Sequence, residues 1–295
     1  MSSIQQQFRR KVIPYVFSAP AIGFLMILMV YPIYKVIRFS FLEGALTSST
    51  TWAGFSNYID IILHDAVFST ALLNTTIFTV SSVLLHLLLG LIFSLLLNQP
   101  INRKFRAVFR VILIVPWVFT AVVVAINWRL LLDASGVVNY ILQSLGIINS
   151  QISWFSRSSF ALPALIFVNM WRGYPFIMVS LLAGLQGIPE VLYESAKVDG
   201  ANGIQQFFHI TLPQLKPVIL SIGLLDLIWT FRMFPLVWLT TGGGPGRSTE
   251  MLSTYTYKLA FDSFKFSKAS AVGVIIVCLV GLIAFFYVRQ QTMTN

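Results

Sequence analysis

Six stretches of the chain are apolar over about 20 residues or more, the length a helix needs to cross a hydrocarbon core. They lie at about 14–39, 69–97, 108–131, 160–184, 217–239 and 269–288. The bilayer core offers no water to the backbone, so such stretches are expected to satisfy their own N–H and C=O groups as helices. The composition agrees. Of 295 residues, 57% are hydrophobic, 10% are charged and 25 are Phe, which cannot be folded into one core beneath a solvated surface. The expected fold is all-α and polytopic: a tail at 1–13, then one six-helix membrane domain over 14–291, with no separate soluble domain and no repeat. The first stretch outlasts the roughly 7–15-residue apolar region of a secretory signal and lacks a convincing cleavage site, so it is expected to be retained as a span.

Charge sets the orientation. Arg9, Arg10 and Lys11 precede the first span, and Arg103, Lys104, Arg106 and Arg110 crowd the loop between the second and third, whereas 42–68 carries no Lys or Arg. The excess of basic residues on cytoplasmic loops places both termini, the loop 98–110 and the loop 187–216 in the cytoplasm. Arg247, Lys258, Lys265 and Lys268 fall on an outer loop against this rule, but early loops usually dominate orientation. The formal net charge of +10 clusters beside apolar segments and forms no basic stripe with interleaved aromatics, so no nucleic-acid partner is expected. The single cysteine, Cys278, allows no intramolecular disulfide and reads as a small buried hydrophobe.

The cytoplasmic loop 187–216 is polar and patterned. Pro189 suits a first helical position, Glu190 suits the positive end of the helix dipole, and Gly200 after Asp199 suits a left-handed C-terminal cap. Asn202 with Gln205 three residues later has the spacing of a capping box. Ile204, Phe207 and Phe208 then share one face, and Leu212-Pro213 is expected to end this second helix. Ser195 and Ala196 are small enough to let another backbone approach, and the aromatic edge of Tyr193, Phe207 and Phe208 would be costly in water. A groove in another subunit would bury it; so would headgroups or the protein's own spans.

Polar residues within spans need a cavity or a partner. Asn169, Arg172 and Phe176 share a face of the fourth span, and Asp226, Trp229 and Met233 share one of the fifth, with Arg232 beside them. Planar polar groups with aromatic rings suit a sugar or polyol pathway; an Arg172–Asp226 pair that only fixes helix packing is the alternative. Pro32, Pro116, Pro163, Pro175 and Pro235 lie in or beside spans and predict kinks or unwound turns. His64, His86 and His209 are scattered without metal-ligand spacing, so structural roles and no metal are expected. Gly242 to Ser248 is glycine-rich but lacks a phosphate-loop lysine and the required spacing. The chain therefore offers no site of its own for ATP hydrolysis and is not expected to be an enzyme.

Glu194-Ser195-Ala196, Asp199-Gly200-Ala201, Phe207, Ile210, Leu212-Pro213 and Pro217 together resemble the EAA loop of permease subunits of binding-protein-dependent ABC importers. Leu239 to Pro245, Thr249, Tyr257 and Phe261, with Trp52 to Tyr58 and Asn74-Thr75, resemble the carbohydrate branch of that family, the maltose and glycerol-phosphate type. Ser195 stands where the family often has Ala, and Pro235 where an acidic residue is common.

The resemblance implies that Tyr193, Glu194, Ser195, Ala196, Asp199, Gly200, Ala201, Phe207, Leu212 and Pro213 dock an ATP-binding subunit. ATP and Mg would then reside on a separate dimer of such subunits, with no cofactor on this chain. It further implies a second homologous permease, an external solute-binding protein, with Gly242, Gly243, Gly244 and Pro245 docking that protein or shaping the outer mouth, and a bacterial inner-membrane location amid lipid. The first and sixth spans, the least polar, would face lipid or the partner permease. The solute would be an oligosaccharide, disaccharide, glycosylated polyol or glycerol-phosphate compound. A secondary transporter using Asp226 for ion coupling is the alternative, as is an anion channel with Arg172 and Arg232; neither requires the Glu194 loop.

Overall fold

The computed structural model describes residues 3–47, 49–100 and 102–292, and side chains are described for these except at 3–12, 14, 286–288 and 290–292. The side chains of Arg9, Arg10 and Lys11, on which the expected orientation leans, thus lie outside the described residues. The fold is all-α apart from one small antiparallel ladder. In chain order the helices are α1 (Ser3–Leu25), α2 (Tyr31–Ser40), α3 (Ser56–Ile59), α4 (Ala66–Asn98), α5 (Arg103–Val118), α6 (Ala121–Leu131), α7 (Val137–Ser144), α8 (Ser158–Gln186), α9 (Glu190–Val198), α10 (Gly203–Gln206), α11 (Leu212–Phe231), α12 (Pro235–Thr240), α13 (Leu252–Tyr257) and α14 (Phe266–Thr292). β1 (Leu42–Glu43) pairs with β2 (Thr51–Trp52), Leu42 opposite Trp52.

Among the described residues, five helical runs are long and apolar enough to cross a membrane: Tyr15–Ser40, Ala66–Asn98, Ser158–Gln186, Gly203–Phe231 and Phe266–Phe285. The expected third span is not one straight helix, for α5 and α6 meet at a bend of 96°. Phe119 and Thr120 are extended there, and the Thr120 hydroxyl accepts from the Val123 backbone N–H to start α6 afresh. The apolar run continues through the break, which is why hydropathy alone reads it as unbroken.

The fifth span is also displaced. It was expected at 217–239, but the helical run is Gly203–Phe231, and 235–240 form the separate helix α12. Pro235 has no N–H to give to Phe231, and its ring would collide with that carbonyl in a continuous helix. Conversely, Leu212-Pro213 ends nothing: α10 passes through a single π turn at Phe207–Thr211 directly into α11, with Pro213 in its first turn, where a missing N–H is tolerated.

Two compact units are distinguished, 1–64 with 256–277, and 65–255 with 278–295. In the first, the buried Asn57 amide donates to the carbonyls of Ser40 (3.0 Å) and Leu42 (2.8 Å), and Tyr58 donates to the Ser40 hydroxyl at 2.6 Å. The Phe41 ring packs on Trp52, Phe55 and Tyr58, so the 52–58 segment is tied to the end of α2. The Ala45 N–H donates to the Ser267 hydroxyl at 3.0 Å, and Lys268 forms an ion pair with Asp60.

In the second unit α4 and α8 pack closely. A Cβ on Gly90 would lie 2.6 Å from Ile177, and one on Gly173 would lie 2.2 Å from the His86 ring. Small residues at such points let helices approach where no water drives them together. Phe78, Val124, Leu165, Val168, Leu236 and Met251 form the apolar core beside this contact. Tyr15–Ser40 contributes no buried side chains within its most apolar window. Cys278 is exposed, not buried as expected, because it lies on a face of α14 that this chain leaves uncovered.

Candidate functional site

The loop after α8 is built by local signals. Pro189 is the N-terminal cap residue of α9, not its first helical residue, with Glu190 in the first turn. The helix stops at Gly200, whose φ of +82° lies in the left-handed region that only glycine enters without strain. Its N–H donates to the Lys197 carbonyl at 3.1 Å, and the next N–H, of Ala201, reaches the Ala196 carbonyl at 2.8 Å. The capping box is formed: the Asn202 side chain accepts from the Gln205 N–H (2.9 Å) and the Gln205 side chain from the Asn202 N–H (2.8 Å). Two short helices are thereby locked at a fixed corner.

One further bond joins this corner to the membrane segment, and another braces the corner itself. Tyr193 Oη and Thr211 Oγ1 are 2.9 Å apart, and the Gln206 amide donates to the Ala201 carbonyl at 2.9 Å. Tyr193 is therefore half-buried and serves as a strut, and Phe207 is half-buried against Phe208 at 5.0 Å between ring centroids. The most exposed apolar groups are Val198 (88% exposed), Ile204 (72%), Val191 (60%) and Phe208 (57%). Glu194, Ser195, Asp199 and Gly200 are exposed beside them, and Ala196 and Ala201 are half-exposed. Val198 was not singled out from the sequence, because a valine near the end of a short helix carries no periodic signal of its own.

The polar residues within spans are arranged differently from the expectation. Among the described residues, the ion-pair partner of Asp226 is His86, with Nδ1 and Oδ2 2.7 Å apart, and not Arg172. The other ring nitrogen, Nε2, lies 2.9 Å from the Asn169 carbonyl oxygen. His86, Asn169 and Asp226 are all buried, so α4, α8 and α11 are bolted together at one point. The Asn169 Nδ2 and Arg172 Nε atoms are buried with no hydrogen-bond partner. One turn along α8 from Arg172, the Phe176 ring lies 6.0 Å from Trp117 and 5.2 Å from Trp229. Trp117 and Trp229 are each more than two-fifths exposed, and Arg232 is exposed just past the end of α11. The structure thus brings Arg172, Phe176 and Trp229 together, adds Trp117, which the sequence did not single out, and makes Asp226 part of the scaffold.

At the far ends of these helices, Gly242 and Gly243 take φ values of +59° and +90°. The turn is closed by Thr249, whose hydroxyl donates to the Gly244 carbonyl (2.6 Å) and lies 2.7 Å from that of Thr241. Asn74 anchors the following segment by donating to the carbonyls of Arg247 and Glu250, each at 3.1 Å, and the Thr75 hydroxyl accepts from the Leu252 N–H at 2.9 Å. Asn74 and Thr75 therefore hold this turn in place. No group of three or more His, Cys, Asp or Glu suited to a metal occurs among the described residues.

Several helices long and apolar enough to cross a membrane, with an exposed two-helix corner between α8 and α11, define a multi-pass membrane protein. Residues 86–292 match the family described as binding-protein-dependent transport system inner membrane component, and the chain belongs to that family. It is similar to the probable ABC transporter permease protein YurN of Bacillus subtilis, at 33% identity over 273 residues covering 92% of this chain and 93% of that one. It is likewise similar to the lactose transport system permease protein LacF of Rhizobium radiobacter, at 34% identity with 94% of each chain covered. The fold matches a chain of a solved bacterial ABC transporter involved in import of the acidic polysaccharide alginate, with a TM-score of 0.85, 24% identity and 99% of each chain covered.

Proposed function

We propose that this chain is the transmembrane permease subunit of an ATP-driven importer, and that it passes a sugar or sugar-like solute from an external binding protein into the cytoplasm by alternating access. The observation that carries this reading is the corner at 190–206. It is turned at Gly200 and closed by the Asn202–Gln205 capping box, anchored by Tyr193 to Thr211, and leaves Val191, Val198, Ile204 and Phe208 bare. An apolar patch on a rigid, otherwise polar projection is the form of a docking lever, since a locked helix pair transmits displacement without melting.

The lever seats in a cleft of an ATP-binding subunit through Glu194, Ser195, Ala196, Asp199, Gly200, Ala201 and Phe207, with Tyr193, Leu212 and Pro213 bracing it. ATP and Mg act on that subunit, and two copies of it drive this chain and a second, homologous permease. Both termini and the corner face the cytoplasm, and Gly242 to Pro245 face the external binding protein. Relatives named for lactose, sulfoquinovosyl glycerol and trehalose/maltose transport support a sugar-like solute.

Within the membrane, Asn169 and Arg172 supply unsatisfied polar atoms beside the Trp117–Phe176–Trp229 row, a pairing of hydrogen-bonding groups with aromatic faces that suits a polyhydroxylated solute. The test is accumulation of radiolabelled lactose, maltose, trehalose or raffinose by vesicles carrying the whole complex. ATP-dependent accumulation of one of them supports the reading, and accumulation driven by an ion gradient without ATP overturns it.

A further inference from the structure

The loops that follow α6, precede α8 and follow α12 border a half-open cleft of about 470 Å3, within the range of small-molecule sites. Its wall includes Arg129, Asp133, Ser153, Trp154, Ser156 and Pro245. It lies at the N-terminal end of α8, whereas the 190–206 corner follows the C-terminal end. A helix of 29 residues separates the two by about 43 Å. The cavity is thus remote from the lever and distinct from the Arg172–Trp229 face.

The wall is built to a fixed shape by one buried side chain. The Asn139 amide nitrogen donates to the carbonyls of Asp133 (3.0 Å), Ala134 (3.0 Å) and Ile152 (2.8 Å), while its oxygen accepts from the Ile152 N–H (3.3 Å) and the Trp154 Nε1–H (3.2 Å). Two loops separated in sequence are held by this one residue. The Trp154 indole N–H is consumed in the scaffold, so what Trp154 offers the cavity is its ring. The Asp133 carboxylate accepts from the Ser135 N–H (3.0 Å) and hydroxyl (2.8 Å), and these bonds hold its pKa below the usual carboxylate range. Arg129 makes one long bond, 3.4 Å, to the Leu239 carbonyl, leaving most of its donors available.

We propose that this cavity is an outer binding subsite for one neutral pyranose ring of the transported solute. A planar guanidinium and a planar carboxylate each hydrogen-bond adjacent hydroxyls in pairs, and their opposite charges suit a neutral ligand over an anion or a cation. The Ser153 and Ser156 hydroxyls add donors and acceptors at the rim, and the Trp154 ring gives an apolar face to the C–H side of a sugar. Preformed walls reduce the ordering cost of binding. The subsite would hold solute at the outer mouth before it reaches Trp117, Phe176 and Trp229. This inference rests on the sugar-importer reading above.

The test uses the whole detergent-purified complex without its external binding protein, and equilibrium dialysis against radiolabelled lactose, maltose, trehalose and raffinose, each alone. The expected result is retention of at least one sugar by the wild type and at least tenfold weaker retention in both Ser153→Tyr, which fills the cavity, and Asp133→Asn, which removes the charge. Fluorescence-detected size exclusion confirms that the variants assemble. Equal retention by wild type and both variants overturns the subsite, as does no retention by a wild type that still accumulates one of these sugars with ATP. Absence of both retention and ATP-driven accumulation overturns the importer reading and the subsite with it.

Discussion

His86 and Asp226, 140 residues apart in sequence, meet at 2.7 Å in the interior, and the other nitrogen of the same imidazole faces the Asn169 carbonyl at 2.9 Å. A carbonyl oxygen only accepts, so Nε2 carries a proton. The contact between Nδ1 and the carboxyl then contains one proton, as imidazolium with carboxylate or as imidazole with carboxylic acid. The pair is neutral overall in both forms.

Removing one partner is therefore asymmetric. His86→Ala strands a buried acid and is expected to destabilise by about 3–5 kcal/mol, read as loss of the monodisperse peak and a fall in Tm in detergent. Asp226→Asn leaves a neutral amide that donates to Nδ1, so the protein is expected to assemble and to retain most of its uptake. Abolition of uptake in a folded Asp226→Asn variant would instead support coupling through a titrating carboxyl.

The same joint predicts the effect of adding one methyl group. In Gly173→Ala the new Cβ would sit 2.2 Å from His86 Nε2, so α8 and α4 must part. Overpacking of this kind costs about 1–3 kcal/mol. Gly203→Ala meets nothing within 4 Å and serves as the control, with Tm unchanged or slightly raised.

At Gly200 the surroundings are open, but φ is +82°. Gly200→Ala is thus penalised by backbone conformation alone, by about 1–2 kcal/mol. Because that strain falls on the corner, the expected signature is a several-fold loss of ATP-driven uptake with global Tm nearly unchanged. Equal loss of Tm and uptake would mean that the corner is not an independent lever.

The ion pair of Lys268 with Asp60 makes a pH prediction. The Lys268 ammonium, by hydrogen bond and charge, lowers the Asp60 pKa from its ordinary value of 3.8. A carboxyl whose folded pKa is depressed contributes stability above its unfolded pKa and loses it as pH falls through the folded value. Wild type and Lys268→Gln are therefore expected to differ in Tm at pH 7 and to converge as pH is lowered below about 4. The exposure of Asp60 and screening by salt keep the difference small.

Features written in a few adjacent residues were legible without coordinates. The capping box at Asn202 and Gln205 and the glycine turn at Gly200 depend on local spacing, and the all-α, membrane-spanning class depends on long apolar runs. Features that depend on distant partners were not. Asp226 seemed matched to Arg172 because both are charged and lie in neighbouring spans, whereas its partner is a histidine on a third helix. Apolar residues flank both the 119–120 break and the turn at 232–234, so hydropathy joined what backbone geometry separates. Leu212-Pro213 misled in the opposite sense, since a proline in the first turn of α11, after a π turn, does not stop a helix. Asn139 carried no signal, because its role is to reach four backbone groups and one indole that only the fold brings near.

If the 190–206 corner docks an ATP-hydrolysing subunit, reversing the charge in Glu194→Lys should break that contact. The complex would be purified from native membranes in mild detergent with either form of this chain, and the ATPase activity that accompanies it measured. The wild type is predicted to bring an ATP-hydrolysing subunit with it, and the variant to lose at least nine-tenths of that activity while this chain stays folded and in the membrane. Full copurification and full uptake in the variant, or a wild type that brings no ATPase, would mean that the corner does not dock such a subunit.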